Sequence, residues 1–185
     1  PNRALTRGAS PLAGMADDGE HDRLFVLGQP LLSAPVYFVD LFPCPAGTAL
    51  ASCPAPTSTF VDLDSVQQGL ELQDIALSNP QAGLGRRAYV SARVYDPVVA
   101  SLLQARPSAD VTGVLLVLDL EPGLSGRPSL QLLRLVDTGL GASQVRVLPV
   151  RDAAGGPPRR DVVVVSSITD GMVTVYDDEA GEVVR

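Results

Sequence analysis

The chain has 185 residues, of which 45% are hydrophobic, and it carries a formal net charge of −7. This length fits one domain that buries most of its apolar surface, and its many Val and Leu residues exclude a disordered chain. The net charge and the scattered arginines exclude the basic stripe that a nucleic-acid backbone requires, and no apolar run reaches the roughly 20 residues that span a bilayer.

The first predicted unit covers about residues 11–63 and contains four short apolar segments separated by Gly, Pro, Asp and Ser. These segments are residues 11–16, 22–28, 36–41 and 58–63. Short apolar runs bounded by such residues are typical of strands, so we expect four strands in this unit.

The only two cysteines, Cys44 and Cys53, lie between the third and fourth segments of this unit. They bracket a loop of small residues with proline on both flanks. Metal and redox pairs usually have closer spacing and, for a metal, more ligands. A disulfide that closes a surface loop is the favoured interpretation, and it indicates an oxidising compartment.

The only histidine, His21, lies in the acidic stretch "DDGEHDR" between the first two segments. A metal site formed with its acidic neighbours is one interpretation and a solvated turn is the favoured one, because the run lacks EF-hand spacing and a second histidine. We therefore predict no metal, no cofactor and no catalytic residues in this chain.

The second predicted unit covers about residues 72–136 and repeats the four segments, with a long insertion at residues 94–113. Asp96 and Pro97 can begin a short helix there and Pro107 can end it. Val98, Leu102 and Arg106 lie on this predicted helix. It would either dock a partner or only pack on the sheet beside it.

The third predicted unit covers about residues 143–185 and has the shortest loops. Its Asp170-Gly171 pair predicts a two-residue hairpin turn with positive φ at both positions. The third segments of the units end in Asp40, Asp119 and Asp177. Because this aspartate recurs in every unit, we expect it to accept hydrogen bonds from its own turn rather than to catalyse a reaction.

Two charged residues, Asp74 and Arg146, interrupt the first apolar segments of the second and third units. In a ring of such units the first strands would face the central axis. The two side chains would then either line a channel or form ordinary hydrogen bonds between neighbouring units.

A four-stranded antiparallel unit that recurs along a chain is the pattern of a β-propeller blade. The stretches "RRAYVSA", "GVLLVLDLEPG" and "RDVVVVSSITDGMVTVYDDEAGEVV" resemble the YVTN-type propeller repeats of bacterial and archaeal surface and periplasmic proteins. The positions that match are Tyr89, Val90, Asp119, Gly171, Val173, Val175, Asp177, Gly181 and Val183. The match is incomplete, because Ser91 and Ser166 stand near the family's Thr-Asn.

The fold expected from these patterns is an all-β, partial β-propeller of about three blades with one short helix inserted in a loop. Propellers close with about 4 to 8 blades, so we expect further blades from a longer protein. The resemblance implies a periplasmic or cell-surface protein, of which a lipoprotein is one form. It also implies that a protein or small molecule binds the face formed by the 2–3 and 4–1 loops.

The motifs mark a scaffold, so a binding module without catalysis is the favoured function. The alternative is a propeller enzyme, similar to a lactonase or a quinoprotein dehydrogenase, whose catalytic residues lie mostly outside this chain.

Overall fold

The computed structural model describes residues 14–18, 22–28, 34–40, 47–49, 52–53, 55, 57–63, 69–79, 86–94, 111–122, 128–151 and 160–184. Within these residues, twelve strands form three separate antiparallel sheets of four strands each. Neighbours in each sheet are neighbours in the chain, so every sheet is an up-and-down meander. The predicted all-β fold with three four-stranded sheets is therefore confirmed, and the described sheets do not close into a ring.

The strands are numbered in chain order. Sheet 1 contains β1 (Met15–Asp18), β2 (Arg23–Leu27), β3 (Pro35–Asp40) and β4 (Thr57–Asp62). Sheet 2 contains β5 (Leu70–Leu77), β6 (Arg87–Val94), β7 (Thr112–Pro122) and β8 (Pro128–Leu140). Sheet 3 contains β9 (Ala142–Val150), β10 (Arg160–Ser167), β11 (Val173–Asp177) and β12 (Glu182–Val184). Sheet 2 extends beyond the predicted range 72–136 at both ends.

Sheet 2 is the central layer, and its strand β7 is buried on both faces. Along β7, Leu116 and Leu118 pack into the core shared with sheet 1, whereas Leu115 and Val117 pack into the core shared with sheet 3. Successive side chains of a strand point to opposite faces. A strand that is buried on both faces needs an unbroken apolar run, and this explains the sequence "VLLVL" in β7.

The core between sheets 1 and 2 is the larger of the two. At its centre Phe25 of β2 and Phe38 of β3 form an edge-to-face pair with ring centroids 5.2 Å apart. This geometry is the favoured one for aromatic pairs. The smaller core joins sheets 2 and 3 and contains Val163 and Val165 of β10.

The chain passes from sheet 2 to sheet 3 through one residue, Gly141, whose φ is +71°. β9 then crosses sheet 2. Gly113 of β7 lies directly against the start of β9, where an added Cβ would be 2.7 Å from the Ala142 nitrogen. Farther along β9, the Val145 N–H donates to the side chain of Asp74 on β5. β9 thus begins beside the third strand of sheet 2 and reaches its first strand.

The first strands of the three sheets lie next to one another, because β5 contacts both β1 and β9. The chain just before β1 lies against β5 at Gly14, where an added Cβ would lie 2.7 Å from the Asp74 Cα. Only a residue without a side chain allows two backbones to approach so closely. The sheets therefore stack with their first strands on a common side.

The prediction of a two-residue turn at Asp170-Gly171 is wrong. Gly171 has a φ of +67°, but Asp170 is not among the residues with positive φ. Five residues separate β10 from β11, and the Ser167 N–H donates to the Met172 carbonyl across 2.9 Å. The longer loop leaves Asp170 in an ordinary backbone conformation. The predicted helix with Val98, Leu102 and Arg106 lies outside the described residues.

Candidate functional site

The two residues predicted to line a channel are joined in an ion pair. The Asp74 Oδ2 atom accepts hydrogen bonds from Arg146 Nη1 at 2.8 Å and from the Val145 N–H at 3.1 Å, while Oδ1 accepts the Ile75 N–H at 3.0 Å. The contacts with Arg146 and Val145 are hydrogen bonds between neighbouring sheets, as in the second interpretation of this pair, whereas the contact with Ile75 lies within β5. Both oxygens of the carboxylate are engaged. An axial channel lined by Asp74 and Arg146 stays a prediction, because the described sheets do not enclose an axis.

Two side chains of β6 bind carbonyl groups at the start of β9. The hydroxyl of Ser91, which is fully buried, donates to the Ser143 carbonyl across 2.6 Å. Arg93 Nε donates to the Ala142 carbonyl across 3.2 Å. Together with Asp74 they fix the path of β9 over sheet 2. In the sequence, Ser91 stands out only as a departure from the repeat pattern, and no local signal predicts its contact with β9.

A second polar region lies between sheets 2 and 3, around a cleft of about 330 Å³. Its charged and aromatic lining consists of Arg87, Arg134, Tyr176, Asp178 and Glu179. Two guanidinium and two carboxylate groups balance each other in this lining. Arg87 is already paired with Asp178, and Arg134 donates to the Gly181 carbonyl. The cleft therefore has no net charge that would select an anion or a cation.

Two aspartates of this region, one of which lines the cleft, are almost completely buried. Asp161 is 1% exposed and Asp178 is 5% exposed. Asp161 Oδ2 accepts the N–H of Asn79 across 2.9 Å, and Asp178 Oδ2 pairs with Arg87. The Oδ1 atom of each aspartate is buried without a hydrogen-bond partner among the described residues. Such unsatisfied buried oxygens are costly, so this is the most polar and least satisfied part of the described core.

Tyr89 of β6 completes this buried group. It is fully buried, and its hydroxyl forms no hydrogen bond of ordinary geometry with the described residues. Burial, followed by the negative charge of Asp178, raises the pKa of Tyr89 well above its ordinary value. The phenol therefore stays neutral at every pH at which the protein would be studied.

Burial also raises the pKa of Asp161, and the negative charge of Asp178 adds to this effect. The hydrogen bond from the Asn79 N–H and the positive charge of Arg87 oppose it without reversing it. One guanidinium thus faces two carboxylates at this point of the interface. The arrangement favours a proton on Asp161, since burial without a second cation disfavours its charged form.

The recurring aspartate of the third strands has the predicted structural role at Asp177. Its Oδ1 atom accepts the N–H groups of Glu179 at 3.1 Å and Ala180 at 3.2 Å, both in the following turn. Its Oδ2 atom pairs with Arg160 at the start of β10. The side chain therefore closes the β11–β12 turn and ties it to the adjacent strand.

Several predicted site residues fall outside the described residues. Val98, Leu102 and Arg106, proposed for partner docking, lie there, and so does Cys44. Cys53 is described and is not a free cysteine, but the predicted pairing with Cys44 stays a prediction. In the part of the chain that the structure describes, no group of three or more His, Cys, Asp or Glu side chains is arranged to hold a metal ion.

Over the same described residues, no helix is long and apolar enough to cross a membrane. No protein family, curated protein or solved structure matches this chain significantly.

Proposed function

We propose that this chain is a run of β-propeller blades that acts as an extracytoplasmic binding scaffold and has no catalytic role of its own. The proposal is supported by three meander sheets that stack on one another with their first strands together. It is also supported by the resemblance to YVTN-type repeats. The observation that carries it is that the position two residues before the recurring aspartate faces the same way along the stack in all three sheets.

The reference position in each sheet is the recurring aspartate of the third strand, which ends β3 and β11 and lies three residues before the end of β7. Asp40, Asp119 and Asp177 pair across the sheet with Arg23, Arg87 and Val162 of the second strands. Two residues before each aspartate are Phe38, Val117 and Val175. Phe38 is buried against sheet 2 and Val117 against sheet 3. Val175 occupies the equivalent position in sheet 3, on the face that points away from sheet 2.

This outward face of sheet 3 is mixed: Arg146, Arg160, Asp177 and Glu182 share it with a group of apolar residues. The apolar residues are Leu148, Val162, Val164, Val173, Val175 and Val184, which share one side of the sheet by their pairing. Leu148 is 52% exposed, Val173 is 60% exposed and Val184 is 50% exposed. In sheets 1 and 2 the equivalent face packs on the next sheet. The same face of sheet 3 is therefore proposed to pack on a further four-stranded sheet.

The experiment introduces charge into this face. Leu148→Asp and Val173→Asp, separately and together, are compared with Ile168→Asp, which changes a residue that is 61% exposed in the β10–β11 loop. We expect the parent chain to bind a hydrophobic fluorescent dye and to associate with increasing concentration in sedimentation velocity. The double variant should lose most of both properties, and Ile168→Asp should retain them.

A parent chain that stays monomeric and binds no dye would contradict the proposed stacking surface. Hydrolysis of lactones or dehydrogenation of alcohols by the purified chain would contradict the non-catalytic scaffold. The extracytoplasmic location depends on the predicted Cys44–Cys53 disulfide. Alkylation of the denatured protein followed by mass spectrometry tests it: neither thiol should react until a reductant is added.

A further inference from the structure

Among the described residues, the interface between sheets 2 and 3 contains a buried charge imbalance. Asp161 begins the buried face of β10, and Asp178 follows β11 in the turn before β12. The two residues are adjacent, since the Asp178 N–H donates to the Asp161 carbonyl across 3.3 Å. Arg87 of β6 is the cation that pairs with Asp178. Two buried carboxyl groups thus share one guanidinium.

Two further arginines of the described residues lie near this cluster, and both are bonded to other partners. Arg160 on β10 pairs with Asp177, and Arg134 on β8 donates to the Gly181 carbonyl. Glu179 lies in the exposed turn and would add negative charge rather than remove it. The nearby phenols of Tyr89 on β6 and Tyr176 on β11 both have pKa values raised by burial and stay neutral. In the part of the chain that the structure describes, Asp161 therefore has no cation of its own.

Asp161 also has an oxygen that a proton would satisfy. Its Oδ2 atom accepts the Asn79 N–H, which belongs to the segment that follows β5. Its Oδ1 atom has no partner among the described residues, and Asp178 Oδ1 has none either. A proton on Asp161 Oδ1 converts an unsatisfied acceptor into a donor, and the same buried cluster contains two acceptors that have no partner among the described residues, Asp178 Oδ1 and the Tyr89 hydroxyl oxygen. The proton also removes the uncompensated buried charge.

We propose that Asp161 is a pH-sensitive latch between sheets 2 and 3: its protonated form holds the two sheets together, and loss of the proton loosens them. The proposal does not depend on the propeller function, because it requires only the observed contact between the two sheets. The latch joins the segment that follows β5, at Asn79, to the β11–β12 turn, which contains Asp178. Loosening is therefore expected to begin at the cleft.

The direction of the pH effect follows from linkage. The pKa of Asp161 is raised in the folded protein above its ordinary value of 3.8. The stabilising effect of its proton is fully present below the ordinary value and is lost as the pH rises through the raised value. For one proton, the folding equilibrium changes by at most about tenfold per pH unit between the two values. Other carboxylates have their own pH effects, so the test must isolate Asp161 by difference.

The test compares the parent chain with Asp161→Asn, which keeps an acceptor for the Asn79 N–H and offers a permanent donor in place of the proton. The matched control is Asp137→Asn, an exposed carboxylate on β8 whose Oδ1 atom accepts only the Gly139 N–H. Urea unfolding is measured from pH 3.5 to 8. We expect Asp161→Asn and the parent to be similar at the acidic end. The variant should gain stability relative to the parent as the pH rises, and Asp137→Asn should not.

A second readout does not depend on the variant being folded. The side-chain carboxyl carbon of Asp161 is titrated by NMR in the parent chain, and amide exchange is followed at Asn79 and Asp178. We expect a midpoint above 3.8 and a loss of protection at both amides, beyond the intrinsic pH effect on exchange, as that midpoint is passed. A midpoint at or below 3.8 would overturn the proposal. A stability difference between Asp161→Asn and the parent that does not change with pH would also overturn it.

Discussion

Asp74 on β5 and Arg146 on β9 are 72 positions apart in the chain and form an ion pair of 2.8 Å between sheets 2 and 3. The two partners are not equivalent. The side chain of Asp74 is 17% exposed and also accepts backbone N–H groups, whereas that of Arg146 is 63% exposed. An exposed ion pair contributes little to stability, and a backbone N–H without its acceptor costs more. The structural importance of the pair therefore lies with the carboxylate.

Replacement of Asp74 should destabilise the protein far more than replacement of Arg146. Asp74→Ala removes the acceptor of the Val145 and Ile75 N–H groups and should cost about 1 to 3 kcal/mol. Arg146→Ala removes only a solvent-screened contact and should cost about 1 kcal/mol or less. Urea unfolding of the two variants at neutral pH measures the difference. Equal losses would mean that the ion pair, and not the backbone contacts, is what stabilises this point.

Ser91→Ala should weaken the attachment of β9 to sheet 2. The variant leaves the Ser143 carbonyl without the hydroxyl that donates to it, in a place where Ser91 itself is fully buried. The expected cost is about 1 to 2 kcal/mol. Ser58→Ala on exposed β4 is the control, and it should change the free energy of unfolding by less than about 0.5 kcal/mol. Identical unfolding curves for the two variants would exclude the proposed attachment.

Gly113→Ala should disturb the crossing of β9 over β7. An added Cβ would lie 2.7 Å from the Ala142 nitrogen and 2.8 Å from its Cβ, so one of the strands must move. Steric overlap in a packed region costs about 1 to 3 kcal/mol. The neighbouring exposed residue Thr112 provides the control through Thr112→Ala. Amide exchange should increase at Ala142 and Ser143 in Gly113→Ala alone, and unchanged exchange there would argue against the close contact.

The number of sheets was predictable because each strand depends on local properties, whereas sheet 2 extends beyond its predicted range. β10 is an example: four consecutive valines between turn residues specify a strand, whatever it packs against. The turn at Asp170 was not predictable from its dipeptide. Asp-Gly favours a two-residue turn only when the flanking residues pair directly, and here Ser167 bonds to Met172 and lengthens the loop.

The buried cluster was missed because it is assembled from distant segments. Asp161, Arg87 and Asp178 belong to two different sheets, and nothing in the local sequence of one predicts the others. One signal was available for Asp161. Asp161 lies two residues before Val163 and four residues before Val165. Because side chains alternate between the two faces of a strand, all three lie on the same buried face of β10. An ionisable side chain on the buried face of a strand indicates either a buried partner or a shifted pKa.

The carboxylate of Asp170 joins the β10–β11 loop to the end of β8. Its Oδ2 atom accepts the Leu140 N–H at 2.8 Å and its Oδ1 atom accepts the Met172 N–H at 3.1 Å. These two backbone hydrogen bonds lower the pKa of Asp170 below its ordinary value of 3.8. The stabilisation they give is present above the ordinary value and is lost as the pH falls through the lowered value. The direction is thus opposite to that of Asp161.

NMR titration of the Asp170 carboxyl carbon should give a midpoint below 3.8, and the Leu140 and Met172 amides should lose protection as that midpoint is passed in acid. Asp170→Asn is the informative variant, because a carboxamide has one acceptor oxygen and cannot serve both N–H groups. It should leave one of the two amides poorly protected at every pH. A midpoint at or above 3.8 in the parent, or full protection of both amides in the variant, would show that the carboxylate does not hold the loop. In the parent chain the two aspartates should therefore titrate on opposite sides of 3.8, so that acid loosens the loop at Asp170 while it strengthens the cluster at Asp161.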